Sequence, residues 1–236
     1  MPLRDHFRGW LEQEVLWQTF HQAWATYLAE SLNPYLPDGF RASPSVQTLI
    51  EIDVAAFGNV RGNSPRPAPP GGEWEPSGGT ATLPFEFTEQ AAEVLVHGHR
   101  DGRYLAAAIE LVSEGNKDRP DAREAFAAKC ATYLRRGVGL VIVDLVTTRA
   151  ANLHDALMAR VSPTAEVWGE RLYATAYRPA GKNGSAQLTV WQEALALGTP
   201  LPTVPLCLLH GPCVPVHLEA SYEDTFRRQQ LPTEEP

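Results

Sequence analysis

The chain has 236 residues, 44% hydrophobic and 20% charged, with 20 Lys and Arg against 28 Asp and Glu for a net charge of −8. A chain of this length can bury roughly 70–75% of its unfolded surface in one large domain, so neither a disulfide nor a structural metal is needed to fold it. The balance excludes wholesale disorder, a generic nucleic-acid coat and a polybasic membrane binder.

No apolar run approaches the ~20 residues that cross a bilayer, so no membrane partner is expected. The opening MPLRDHFRGW lacks an apolar signal core. Cys130, Cys207 and Cys213 are an odd number at unrelated spacings. That argues against a disulfide framework or a four-cysteine zinc site, and free thiols in a cytoplasmic protein are expected.

Taken in chain order, Leu16, Phe20, Trp24, Leu28 and Leu32 recur every four residues and predict a helix with one apolar stripe, widened by Trp17 and Tyr27. Asn33-Pro34 ends it. Residues 39–57 read as extended, with LIEIDVAAF alternating before it turns apolar. From Gly58 to Gly79, 11 of 22 positions are Gly or Pro, so 58–82 is expected to be a flexible insert within a single domain.

AEVLVHGHR and RYLAAAIELV flank Asp101-Gly102 and predict a hairpin over 92–112. Pro120 suits a first helical turn and Gly137 a helix stop, which bracket DAREAFAAKCATYLRR as a helix. VGLVIVD (138–144) reads as a buried strand. NLHDALMAR predicts a short helix, and ERLYATAYRP with SAQLTVWQEAL a second hairpin turning at 181–184. The end carries LPTVPLCLL and VPVHLEASYEDTF, then a polar tail over 229–236. The order helix, strands, helix, strand is that of an α/β domain.

Three acids stand in apolar strands: Asp53, Glu110 and Asp144. Desolvating a carboxylate costs several kcal/mol, roughly, so each needs a partner, a cation or a strand-end position. A strand-end or capping role is the simplest reading of Asp144. A divalent cation would reconcile Asp53 with Glu110, because hard cations take carboxylate oxygens. At about 100° per residue, Lys129 stands on the edge of the helical sector carrying Phe126, Cys130 and Leu134, so its ammonium can be aimed at the strand bearing Glu110. A purely structural Glu110–Lys129 pair is the competing reading.

From 117 to 136 six basic residues meet three acidic ones, most simply a solvated helix face, although Lys117, Arg119 and Arg123 could steer a phosphate. His97 and His99 share a strand face, but no further zinc ligand is spaced convincingly. Cys130 reads as a buried small hydrophobe. Trp17, Trp24, Trp74, Trp168 and Trp191 read as packing anchors.

The run AAAIELVSEGNKDRPDAREAFAAKCATYLRRGVGLVIVDLVT resembles an uncharacterised bacterial family known as domain of unknown function forty fifty-eight. Its marks are IEL-S-x-x-NK, a helix with R-x-x-F-x-x-K and Y-L, and a glycine before a strand ending in Asp. Trp17, Phe20 and His21, Leu32-Asn33-Pro34 and the C-terminal SYE resemble it too. More distantly the run is similar to restriction-endonuclease-like proteins of the PD-(D/E)XK superfamily.

That resemblance implies a helix, a mixed sheet, a crossing helix and a strand, here with a C-terminal strand extension. It also implies an acid and a Glu-x-Lys gathered around Mg or Mn. Asp53 and Glu110 would be the metal ligands. Val112 stands where the lysine belongs; Lys129, on the following helix, or Lys117, expected in a loop, would replace it. The implied function is a metal-dependent, nuclease-like phosphodiesterase with nucleic acid as partner. The alternative is a non-catalytic protein-interaction module retaining the fold. A homo-oligomer or a protein partner is compatible with either.

Overall fold

A computed structural model describes residues 1–47, 51–59, 74–85, 103–182 and 185–232. A seven-stranded mixed sheet forms the centre. Its strands are β1 (Phe40–Gln47), β2 (Glu51–Asn59), β3 (Ala81–Phe85), β4 (Arg103–Leu111), β5 (Gly139–Asp144), β6 (Tyr173–Lys182) and β7 (Ser185–Ala194). They lie in the order β1-β2-β4-β5-β6-β7-β3. Only β4 and β5 are parallel neighbours, and every other pairing is antiparallel. The chain is therefore α/β, as its element order predicts.

Helices cover both faces. On one lie α2 (Trp17–Leu32), α6 (Leu218–Arg228) and a two-stranded hairpin of β8 (Thr203–Cys207) and β9 (Cys213–His217). On the other lie α4 (Pro120–Arg135) and α5 (Leu153–Val161). α1 (Trp10–Glu14) and α3 (Glu114–Asp118) are single short turns of helix. β5 is buried along its whole length between the layers, which is why its sequence is almost wholly apolar. Val141 and Val143 face the α2 layer while Leu140 and Ile142 face the α4 layer.

The predicted stripe of α2 holds from Phe20 to Leu32, with Trp24 fully buried and its indole N–H donating to Ser221 Oγ of α6 at 3.0 Å. Leu16 departs from it: the residue is the N-cap, has left the helical spiral, and is 74% exposed. The Asn33 side chain joins the helix end to β1 by donating to Ala29 O and Ala42 O and accepting from Ala42 N. Gly137, at φ 78°, ends α4 as its position predicts, and Pro120 starts it.

Some expectations fall outside the described residues, and others are revised. The hairpin over 92–112 is described only for β4; the Asp101-Gly102 turn, His97 and His99 lie outside the described residues, as does the 183–184 part of the second hairpin's turn. Within 58–82, residues 60–73 likewise lie outside them. The remainder is integrated rather than loose. The Trp191 indole donates to Ser77 O at 2.8 Å, Thr80 Oγ1 accepts from Gln192 N, and Ala81 begins an edge strand on β7. The C-terminal extension holds a helix as well as strands: Leu218, Ser221, Tyr222, Thr225 and Phe226 repeat at helical spacing and are buried. The tail starts docked, with Leu231 N donating to Phe226 O.

Finally, Cys207 and Cys213 are not free. They are register partners across β8 and β9, so their side chains meet, and they form a disulfide. Cys130 is the free, buried thiol. No described helix is long and apolar enough to cross a membrane.

Candidate functional site

β4 enters the core through three successive alanines, Ala106 to Ala108, which leave room for α2 and α4 to close on either side. Its register then sets Glu110 beside Ile142 of β5, on the α4 face. Lys129 comes from the middle of α4, one turn after Phe126, and its Nζ lies 5.2 Å from that ring's centre. The ammonium donates to Glu110 Oε2 at 2.7 Å. The Glu110 side chain is 3% exposed and that of Lys129 19%, so the pair is covered on the carboxylate side and reaches solvent through the lysine. Burial pushes the neighbouring Cys130 thiol well above its ordinary range; the Glu110 charge adds to this and Lys129 opposes it.

A second ion pair lies on the same strands. Beyond β4, Val112 N donates to Val143 O and continues the parallel pairing, and Ser113 then opens α3, its N–H donating to Asn116 Oδ1. This tight turn swings Lys117 inward. Its Nζ donates to Asp144 Oδ2 at 2.8 Å, with both side chains sealed from solvent. Asp144 Oδ1 accepts from Val146 N at 3.0 Å, the strand-end role expected of it, and the Tyr173 hydroxyl donates to the same carboxylate. Burial raises the Asp144 carboxyl above its usual range, against the pull of Lys117 and these two donors.

The layer continues into α5 and β6. Tyr173 Oη accepts from Leu153 N and His154 N at the start of α5. His154 Nδ1 lies 2.6 Å from Tyr177 Oη, and its Nε2 lies 2.9 Å from Gln192 Nε2. Burial lowers the His154 imidazole to about 4, with Asp155 opposing, and burial raises the Tyr177 hydroxyl well above its ordinary range. Tyr173, Thr175 and Tyr177 alternate along one face of β6, a period-two row of hydroxyls visible in ERLYATAYRP. Its polarity identifies a face, whereas its partners come from distant elements.

Of the sequence-derived site residues, Glu110 and Lys129 come together. Asp53 lies on β2, next to Val54, whose register partner Ile109 immediately precedes Glu110. The Asp53 side chain lies outside the described residues. Lys117 is in α3 rather than a loop, and its ammonium is held by Asp144 out of reach of solvent. Arg119 stands 4.0 Å from Asp121 in solvent, and Arg123 Nη1 lies 3.5 Å from Lys117 O.

Comparison with family models, curated proteins and solved structures returned no match. The chemistry therefore rests on the geometry alone. Among the described residues no three His, Cys, Asp or Glu side chains form a metal-binding group. Mg²⁺, however, keeps several waters and commonly uses one or two carboxylates with substrate phosphate rather than a full protein cage. Glu110 offers one such carboxylate, and β2 brings the backbone of Asp53 alongside it. Asp144 does not offer one, because its oxygens already serve Lys117, Val146 and Tyr173.

Proposed function

We propose that the chain is a metal-dependent phosphodiesterase of nuclease type, built on a restriction-endonuclease-like core. The observation that carries this reading is the 2.7 Å Glu110–Lys129 contact at the centre of one particular succession of elements. That succession is α2, the antiparallel β1-β2-β4, the crossing α4, and β5 parallel to β4. It is the order the resemblance implies, with lysine supplied by the helix in place of the buried Val112.

Asp53 and Glu110 would hold Mg²⁺ or Mn²⁺, which would polarise a phosphodiester and acidify a bound water. Lys129, which reaches solvent at one edge, would orient that water or stabilise charge developing on the phosphate. Nucleic acid is the substrate class that follows from this chemistry.

The test is calorimetric titration with Mg²⁺ and Mn²⁺ alongside cleavage of single- and double-stranded DNA and RNA. Binding and cleavage are expected in the wild type and are expected to disappear in Asp53→Asn and Glu110→Gln; Lys129→Met is expected to keep metal binding and lose cleavage. Metal binding indifferent to both carboxylates would reject the reading.

A specific observation favours a second reading, a non-catalytic interaction module that keeps the fold. Lys117 and Asp144 are wholly sealed and Glu110 nearly so, as in ion pairs that only pin layers together. No metal binding, combined with strong destabilisation by Glu110→Gln, would select it.

A further inference from the structure

At the opposite end of β5 from Asp144, the C-terminus of α4, β6 and the β8–β9 turn border an open cavity of about 610 Å³. Arg136, Arg178 and His210 line it, and none of its described lining residues is acidic. Arg136 is the residue at which α4 ends before the Gly137 stop. Arg178 follows Tyr177, the register partner of Leu140, and so stands across from the first residue of β5. Gly139 to Asp144 is five steps along the strand, so this site is roughly 16 Å from Asp144.

The third wall is held firmly. Leu208 N donates to Pro212 O, Gly211 N to Leu208 O, and Leu209 N to Ala106 O of β4. The Cys207–Cys213 disulfide closes the turn from behind. Between these restraints His210 adopts φ 60°, a left-handed conformation that is unfavourable for a non-glycine residue. Such conformations persist where the surroundings impose them, and they concentrate at ligand sites.

Charge narrows the class of ligand. The chain has 28 acidic residues for 20 basic ones. Arg119, Arg149, Arg160, Arg227 and Arg228 each meet a carboxylate. Arg136 and Arg178, like Arg4, Arg8, Arg41, Arg123, Arg135 and Arg171, meet none among the described residues, and of these only Arg136 and Arg178 border this concavity. Two arginines bordering one space suit a phosphate, whose oxygens arginine binds bidentately. A volume near 600 Å³ is that of a small-molecule site. A net charge of −8 opposes a long polyanion more than a compact one.

We propose that the cavity between Arg136, Arg178 and His210 binds a small phosphorylated ligand through its phosphate oxygens, independently of the Glu110–Lys129 site. The experiment is isothermal titration of the full chain with pyrophosphate, with inorganic phosphate and with a twelve-nucleotide oligothymidylate, in a buffer free of other oxyanions. Saturable pyrophosphate binding is expected, weakened at least tenfold by Arg136→Gln or Arg178→Gln and unchanged by EDTA, which would strip a metal from the Glu110 site. Phosphate is expected to compete for the same site. Circular dichroism and thermal melts of the two arginine variants are expected to match the wild type, since neither side chain has a described partner to lose.

Three results would overturn the proposal: no binding of either small anion, binding indifferent to both arginines, or binding abolished by EDTA. Oligothymidylate binding through the arginines more tightly than pyrophosphate would also overturn it, in favour of a nucleic-acid track.

Discussion

Replacing Lys117 by Met leaves the Asp144 carboxylate buried without its cation, and both side chains are sealed from solvent, so water cannot screen the loss. Breaking a buried pair by removing one partner costs about 3–5 kcal/mol. For a chain of 150–250 residues each kcal/mol corresponds to about 2–4 °C in Tm, so a fall of roughly 6–20 °C is expected. The cost should also depend on pH. Burial already raises the Asp144 carboxyl in the folded wild type, and loss of the nearby ammonium raises it further.

A carboxyl whose folded pKa exceeds its unfolded value binds more protons when folded. Its contribution to stability is then full below the unfolded pKa and is lost as pH rises through the folded one. Lys117→Met is therefore expected to be most damaging near neutral pH and to regain stability relative to wild type on acidification toward the ordinary carboxylate range. Urea unfolding of both proteins at several pH values measures this. In the double variant with Asp144→Asn, which keeps a neutral acceptor for Val146 N, most of the loss is expected to be recovered at neutral pH. A deficit below about 1 kcal/mol, the worth of an exposed pair, would refute the reasoning. So would a deficit that does not change with pH.

His154, held near 4 by burial, must be neutral to stay folded; because its folded pKa lies below the unfolded value of 6.5, its stabilisation is lost as pH falls from 6.5 toward 4. His154→Gln is expected to flatten the acid limb of the urea-unfolding profile by roughly 3 kcal/mol, and an unchanged limb would contradict the assignment. Gly139→Ala would bring a Cβ to within van der Waals overlap of the Cys207 carbonyl; the β8–β9 hairpin must shift, and thermal melts should show a loss above the roughly 1–3 kcal/mol of ordinary overpacking. Thiol titration of the denatured, unreduced chain is expected to count Cys130 alone, and to count all three cysteines after reduction. Closing so short a loop is worth about 2 kcal/mol in the chain-entropy view, so Cys207→Ser with Cys213→Ser should lower stability by that order.

Periodicity and punctuation marked the elements whose local preference and tertiary role agree. Phe20 to Leu32 repeats on one face because α2 buries one face, Pro120 and Gly137 bracket α4, and the apolar β5 lies between two layers. The Glu110–Lys129 contact was legible for the same reason: a strand acid and a lysine at the edge of an apolar helix sector can meet once the helix crosses that strand.

The other features depend on pairings between distant parts of the chain, which no local pattern encodes. Lys117 looks like a loop cation until the Ser113–Asn116 turn aims it at Asp144, 27 residues on. β3 finds its place only against β7, more than 100 residues later. Cys207 and Cys213 become partners only through the β8–β9 register. His154 is a helix residue of ordinary appearance until β6 and β7 supply Tyr177 and Gln192. Arg136 and Arg178 likewise border one cavity because antiparallel β6 returns beside the start of β5. Side-chain periodicity records which face is buried, whereas the identity of what covers that face is settled by long-range packing.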